Sequence, residues 1–366
     1  MWVSYLELTA WLSARSQSQF TARVREAFDN CLNFGINTVI VQVRPFADAL
    51  YESQYFPWSR FASGTEGVHP GFDPLEIMVR EARTRGLRIE AWVNPYRVSH
   101  NVSANPLSQN NMARVWLNGG GNHAAQSANG WVVFNPASEQ ARNLIINGIR
   151  EIIRNYGVDG IHIDDYFYPI TGTDFDSSFD LPSYQAYRGG GGNLSHADWR
   201  RQNVDTLLRA MYAAVKQENP NALFGISPES SLDTNFNRAY FDVEKALSTP
   251  GYCDYIAPQI YFGFQNEVQP FRATLDRWNA LIKVSGVKLY VGLAVYKSGY
   301  PDSWARSGSA EWQNNTNLLA RMVQYSRDAS NYAGFILYRY DSLFNPEPAV
   351  RSHVQREAAN LLDILN

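Results

Sequence analysis

The chain has 366 residues, 45% of them hydrophobic, which supplies material for a large core. Length alone allows two or three domains, but α/β barrels run from about 250 to more than 400 residues as a single domain. The net charge of −3 and the charged fraction of 18% set up no field of either sign, so there is no electrostatic case for nucleic acid or anionic lipid as a partner.

Strand-like apolar runs alternate with helix-like periodic segments about eight times along the chain. The expected strands are Val3 to Leu8, Thr38 to Pro45, Arg88 to Pro95, Gly160 to Phe167, Leu223 to Pro228, Tyr255 to Tyr261, Leu289 to Tyr296 and Gly334 to Tyr340. Between them the spacing predicts helices over Gln19 to Phe34, Pro74 to Arg85, Ser138 to Tyr156, Ser195 to Gln217, Val268 to Lys283 and Glu311 to Ala329. Such alternation implies a parallel sheet, and eight repeats imply a TIM-type (β/α)8 barrel spanning 1–366. Gly35, Gly86, Gly157 and Gly286 stand where left-handed helix caps belong.

The polarity of the barrel follows from its connections. Segments entering strands are short, as at Arg85-Gly86-Leu87. Segments leaving strands are long and rich in aromatics, Asn and Gly, notably 46–72, 96–132 and 168–194. In this fold the loops after strands build the active site. The Gly-rich run after Arg188 lacks the Lys-Ser or Lys-Thr of a phosphate loop and reads as a hinge, with Ser195 capping the next helix.

The ends of the strands carry the chemistry. The second strand, VIVQVRP, sets Gln42 and Arg44 at alternate positions among valines. The third, RIEAWVNPYR, carries Glu90, Trp92 and Asn94, then Tyr96 and Arg97. In the fourth, alternation puts His162 and Asp164 on the axis-facing side and Ile161 and Ile163 toward the helices. Asp164 and Asp165 stand side by side and lead into Tyr166, Phe167 and Tyr168. Adjacent carboxylates repel and are costly to bury, so the pair points to a site rather than to stability. Glu229 ends the fifth strand, FGISPES, and a second carboxylate there would complete a nucleophile and general-acid pair. Gln259 and Tyr261 end the sixth, and Arg339 and Asp341 the eighth.

Amides and phenols can both donate and accept, which suits them to hydroxyl groups. This points to Asn94, Gln259 and the tyrosines, and the expected sugar contacts are Arg44, Asn94, Tyr96, Arg97, His162, Tyr166, Tyr168, Gln259 and Tyr261; for Arg44, Glu90 and Arg339 an interior Arg–Glu or Arg–Asp pair is the alternative. The aromatic fraction of 14% agrees, because many of these rings lie beside Pro, Gly and Asn at strand ends rather than inside apolar runs.

Other chemistries find little support. The histidines show no HxH or HExxH spacing, no G-x-S-x-G elbow is present, and neither a metal nor another cofactor is implied. Cys31 and Cys253 read as buried free thiols. No run approaches the ~18 apolar residues of a membrane span. The chain opens on a strand-like run after one Met, and the lack of a leader there says little about location.

The segments NTVIVQVRPFADALYESQYFPWS, GFDPLEIMVREARTRGLRIEAWVNPYRVS, GVDGIHIDDYFYP, FGISPES, YIAPQIYF and ILYRYDSL resemble the glycosyl hydrolase-like 10 family of bacterial barrel proteins. The resemblance implies an extracytoplasmic glycoside hydrolase acting on a cell-wall polysaccharide. In one branch the substrate is peptidoglycan glycan stripped of its stem peptides, cut between N-acetylmuramic acid and N-acetylglucosamine. Asp159 to Asp164 is also similar to the D-G-F-R-x-D strand of alpha-amylase-type enzymes, which would make Asp164 the nucleophile. The chitinase pattern fits less well, because it needs Asp at His162 and Glu at Tyr166. Family members often carry a small or aromatic residue where this chain has Glu229, which leaves Asp165, Glu229 and Asp341 competing as the acid. The rival readings are a non-catalytic glycan-binding barrel and an amylase-like hydrolase of a neutral α-glucan.

Overall fold

The computed structural model describes residues 1–168, 175 and 178–365; Pro169, the last residue of the DDYFYP run, lies outside them. Eight parallel strands form one sheet in sequential order: β1 (Trp2–Val3), β2 (Thr38–Arg44), β3 (Arg88–Val93), β4 (Gly160–Ile163), β5 (Leu223–Ile226), β6 (Tyr255–Ile256), β7 (Lys288–Ala294) and β8 (Tyr332–Tyr338). Every ladder from β1 to β8 is parallel, and β8 returns against β1 to make a nearly closed barrel. The expected (β/α)8 architecture is the one observed.

The helices form where caps and periodicity agree. Ser16 and Gln19 build a capping box at the start of the helix Gln17–Asn33, and Asp73 with Pro74 starts Pro74–Thr84. Ser138 caps Glu139–Tyr156, which Gly157 ends in the left-handed conformation, and Ser195 caps His196–Glu218.

The first expected strand is corrected. Only Trp2–Val3 is strand, and helix α1 (Tyr5–Leu12) follows at once. Ser4 and Glu7 form a reciprocal capping box there, which outweighs the strand-like composition of the run. The helix expected over 311–329 breaks into Glu311–Asn314 and Leu318–Ser326, because Asn315 is extended. The helix expected from Val268 begins only after Pro270, at Phe271. The sixth strand keeps ladder geometry only at Tyr255–Ile256, with isolated bridges at Gln259 beyond it.

Burial follows strand alternation. Ile161 and Ile163 join the outer core between sheet and helices, whereas Trp2, Ile40, Trp92, Tyr255 and Ile336 pack inside the barrel. Gly225 makes room there, since a Cβ would lie 1.9 Å from the Tyr255 ring. A polar chain crosses this interior. Trp2 Nε1 donates to His162 Nε2 at 3.0 Å, so the proton of neutral His162 sits on Nδ1 and points to Tyr255 Oη, 2.8 Å away. Tyr255 in turn donates to Glu90 at 2.5 Å. Burial holds His162 neutral, with its pKa lowered to about 3, and raises Glu90 to about 7.

Candidate active site

At the C-terminal ends of the strands lies a cleft of about 290 Å³, lined among others by Trp92, Arg97, Asp164, Asp165, Gln259 and Tyr261. This is the face where barrels carry their sites. Asp164 stands just past the ladder of β4 and is 6% exposed. Asn94 Nδ2 lies 2.7 Å from both of its carboxylate oxygens, Trp92 Nε1 donates at 3.1 Å, and the Tyr166 amide donates at 3.2 Å.

Asn94 is itself held in place. Gln42 Nε2 donates to Asn94 Oδ1 at 2.7 Å, and the first-turn amide of Tyr5 donates to Gln42 Oε1 at 3.0 Å. The Arg97 guanidinium completes this side, 3.4 Å from Asn94 Oδ1 and 2.7 Å from the Pro45 carbonyl, with Phe46 and Tyr166 each 4.5 Å away as ring faces. A relay of amides thus runs from α1 through β2 and β3 to the carboxylate.

Asp165 turns to the opposite side, where Gln259 Nε2 donates to its Oδ1 at 3.3 Å and to the Ser227 carbonyl at 3.0 Å. The two carboxyls differ in environment. Burial raises the pKa of Asp164, opposed by the Arg97 charge and by the donors from Asn94, Tyr166 and Trp92. Asp165 is pushed up to about 7, first by burial and then by the charge on Asp164, with Glu229 adding to it. Asp164 is the better stabilised anion, and Asp165 is the group that keeps its proton near neutral pH. Two neighbouring carboxyls with opposed protonation are chemically able to offer a charge to an oxocarbenium-like centre and a proton to a leaving oxygen.

The structure separates the other expected site residues. Tyr166, 38% exposed, lines the cleft, and Tyr261 stacks on Tyr338 with ring centroids 5.7 Å apart. Glu229 is half-buried beside Gln259, and burial raises its pKa against the pull of Arg238; its charge reaches Asp165, but it does not line the cleft. Asp341, in the short helix Tyr340–Phe344, lines an adjoining cavity and accepts from Asn345 at 2.8 Å. His162 lies beneath the floor in the interior chain just described.

Besides His162, which the interior chain takes out of reach of a sugar, three expected sugar contacts point elsewhere. The β2–β3 register shifts between Gln42 and Arg44, so Arg44 pairs beside Val93 and turns outward. Its guanidinium is buried 4.2 Å over Phe56, against the Gly148 turn of helix 139–156. Tyr96 is buried in the outer core, its hydroxyl unpartnered among the described residues. Tyr168 donates to Asp180, which also accepts Arg200 Nη2 at 2.6 Å and meets His196 Nε2 at 3.1 Å, a network behind the site.

Residues outside the expected set complete the cleft. Gln42 and Trp92 were visible as polar or amphipathic residues alternating on axis-facing positions. Tyr5, Ser227 and Tyr338 carried no comparable signal.

Three comparisons bear on this geometry. The profile of the glycosyl hydrolase-like 10 family matches residues 2–308. The chain is 34% identical over 338 residues to glycosyl hydrolase YngK of Bacillus subtilis, covering 86% of this chain and 63% of that protein, a little under two thirds of its length. It is 30% identical over 384 aligned positions to glycosyl hydrolase DigH of Escherichia coli, covering 95% of this chain and 84% of that one. In fold it is similar to the glycoside hydrolase domain of PgaB (BpsB) from Bordetella bronchiseptica, at a TM-score of 0.60 and 12% identity, with 96% and 97% of the two chains covered.

Proposed function

The chain belongs to the glycosyl hydrolase-like 10 family, and from that premise we propose that it hydrolyses the glycan of the bacterial cell wall, with peptide-free peptidoglycan strands as substrate and the bond between N-acetylmuramic acid and N-acetylglucosamine as the point of attack. The observation that carries this reading is the placement of Arg97 in the same cleft as Asp164 and Asp165. A fixed guanidinium beside the reacting centre suits a sugar bearing a lactyl carboxylate and gives no advantage to a neutral α-glucan.

Asp165 protonates the glycosidic oxygen as the bond to the anomeric carbon breaks. Asp164, ionised and held by Asn94, Trp92 and the Tyr166 amide, stabilises the positive charge that develops on the ring. Water then supplies the new hydroxyl at the anomeric carbon, and its other proton returns to the Asp165 carboxylate. The reaction takes place outside the cytoplasm, where this polymer lies; no helix among the described residues is long and apolar enough to cross a membrane.

The test is incubation with peptide-free glycan strands followed by mass analysis. Expected are oligosaccharides that have each gained one water and end in N-acetylmuramic acid. Intact strands together with release of maltooligosaccharides from a neutral α-glucan would overturn the reading. Tight binding of the strands without cleavage would identify a binding barrel instead.

A further inference from the structure

The cleft around Asp164 is at the lower edge of the roughly 300–1,000 Å³ usual for small-molecule sites, so a polymer held there must continue over neighbouring surface. One neighbour is built to receive it. A second cavity of about 540 Å³ adjoins the cleft, and Tyr338, partly exposed, lines both.

Tyr296, at the start of the loop after β7, lines this second cavity and is 41% exposed. Its ring meets Tyr338 edge-on at 6.0 Å and Tyr261 edge-on at 5.8 Å, so three tyrosines form one continuous shoulder from the cleft into the cavity. Rings arranged in this way offer apolar faces to the C–H faces of successive sugars.

The charges of the two spaces differ. The cleft sets the Arg97 guanidinium beside the Asp164 and Asp165 carboxyls. The second cavity holds the carboxylates of Asp341 and Glu347, and Arg339 beside them is already committed to carboxylates, 2.6 Å from the fully buried Glu7 and 4.0 Å from Asp341. That acidic lining repels a lactyl carboxylate and provides acceptors for hydroxyl and amide N–H groups.

We propose that the cavity beyond Tyr338 is a subsite for a further sugar of the same strand, selective for the neutral N-acetylated hexosamine over its lactyl-bearing neighbour. This rests on the wall-glycan reading above, and it matches the alternation of neutral and acidic sugars that such a strand presents. Arg97 would take the acidic unit in the cleft and the Asp341 cavity the neutral one.

The test is binding of N-acetylglucosamine oligomers to the Asp165→Asn protein by calorimetry, comparing a dimer with a tetramer. The tetramer should bind more tightly, and Tyr296→Ala should remove about fivefold of that gain while leaving the dimer little changed. Tyr296→Phe should restore it. Ser342→Trp, which fills the cavity from the short helix at 340–344, should abolish the gain, with thermal melting confirming that the variants are folded. A length gain that persists in both Tyr296→Ala and Ser342→Trp, or its absence in the parent protein, overturns the subsite. If the gain is present and removed as expected while wild-type protein leaves peptide-free strands uncut, the subsite stands and the hydrolytic reading falls.

Discussion

Asn94 Nδ2 lies 2.7 Å from each carboxylate oxygen of Asp164, while its own carbonyl accepts from Gln42 at the same distance. The orientation of the amide is therefore set from behind, and Asp164 receives donors rather than a competing acceptor. Asn94→Ala should lower kcat on glycan strands by about 100-fold with little change in KM, because the carboxylate is misplaced rather than removed. Gln42→Ala should give a weaker version of the same pattern. A large rise in KM at constant kcat would show that Asn94 holds substrate instead.

Asp164→Asn should abolish cleavage while the protein stays folded. Steady-state turnover near the wild-type rate would remove Asp164 from the mechanism.

Asp165 is expected to set the alkaline limb of the pH profile. Its pKa is raised to about 7, so it is protonated below that pH and active as an acid there; kcat/KM should fall as pH rises through about 7. Asp165→Asn should cost roughly 10²–10⁴-fold on natural strands and flatten this limb with a substrate whose leaving group needs no proton. An alkaline limb that survives the substitution assigns the proton to another group.

Glu229 separates two roles. Its charge contributes to the raised pKa of Asp165, so Glu229→Gln should move the alkaline limb to lower pH while activity below it remains. Complete loss of activity at all pH values would instead make Glu229 the acid.

Inside the barrel, Glu90 has its pKa raised from 4.5 to about 7 by burial. Its protonated form stabilises the fold at acid pH, and that contribution is lost as pH rises through 7. Glu90→Gln should therefore match wild type at pH 5 and exceed it at pH 8 by up to about 3 kcal/mol, measured by denaturant unfolding. Equal stabilities at both pH values would mean that Glu90 titrates normally.

Much of the barrel could be read in the sequence because strand alternation is a strict geometric rule. It placed His162 with Asp164 and set Ile161 and Ile163 toward the helices, and both follow from the side-chain period of two. Arg44 escaped because one extra residue in β2 reverses that parity, and nothing in VIVQVRP marks the bulge. Tyr96 and Tyr168 escaped because an aromatic in a loop can face a cleft or a core with the same local sequence. Helix α1 differs: the S-x-x-E signature at Ser4 and Glu7 is present in the sequence, but it is set among residues of strand-like composition. The cleft is assembled from elements far apart in sequence, so Tyr5 and Tyr338 could not be placed before the barrel was closed.

Glu7 has a second consequence. No backbone hydrogen bond joins β1 to β8 among the described residues, yet Glu7 at the head of α1 pairs with Arg339 at the end of β8 and accepts from the Asp341 amide at 3.2 Å. The seam of the barrel is held by side chains, the buried Glu7 carboxylate at its rim and the Trp2–Tyr338 ring contact, rather than by a ladder along its length. The amides of β1 and β8 should exchange with solvent sooner than those of β3 and β4, and this seam should be the first part of the barrel wall to unfold.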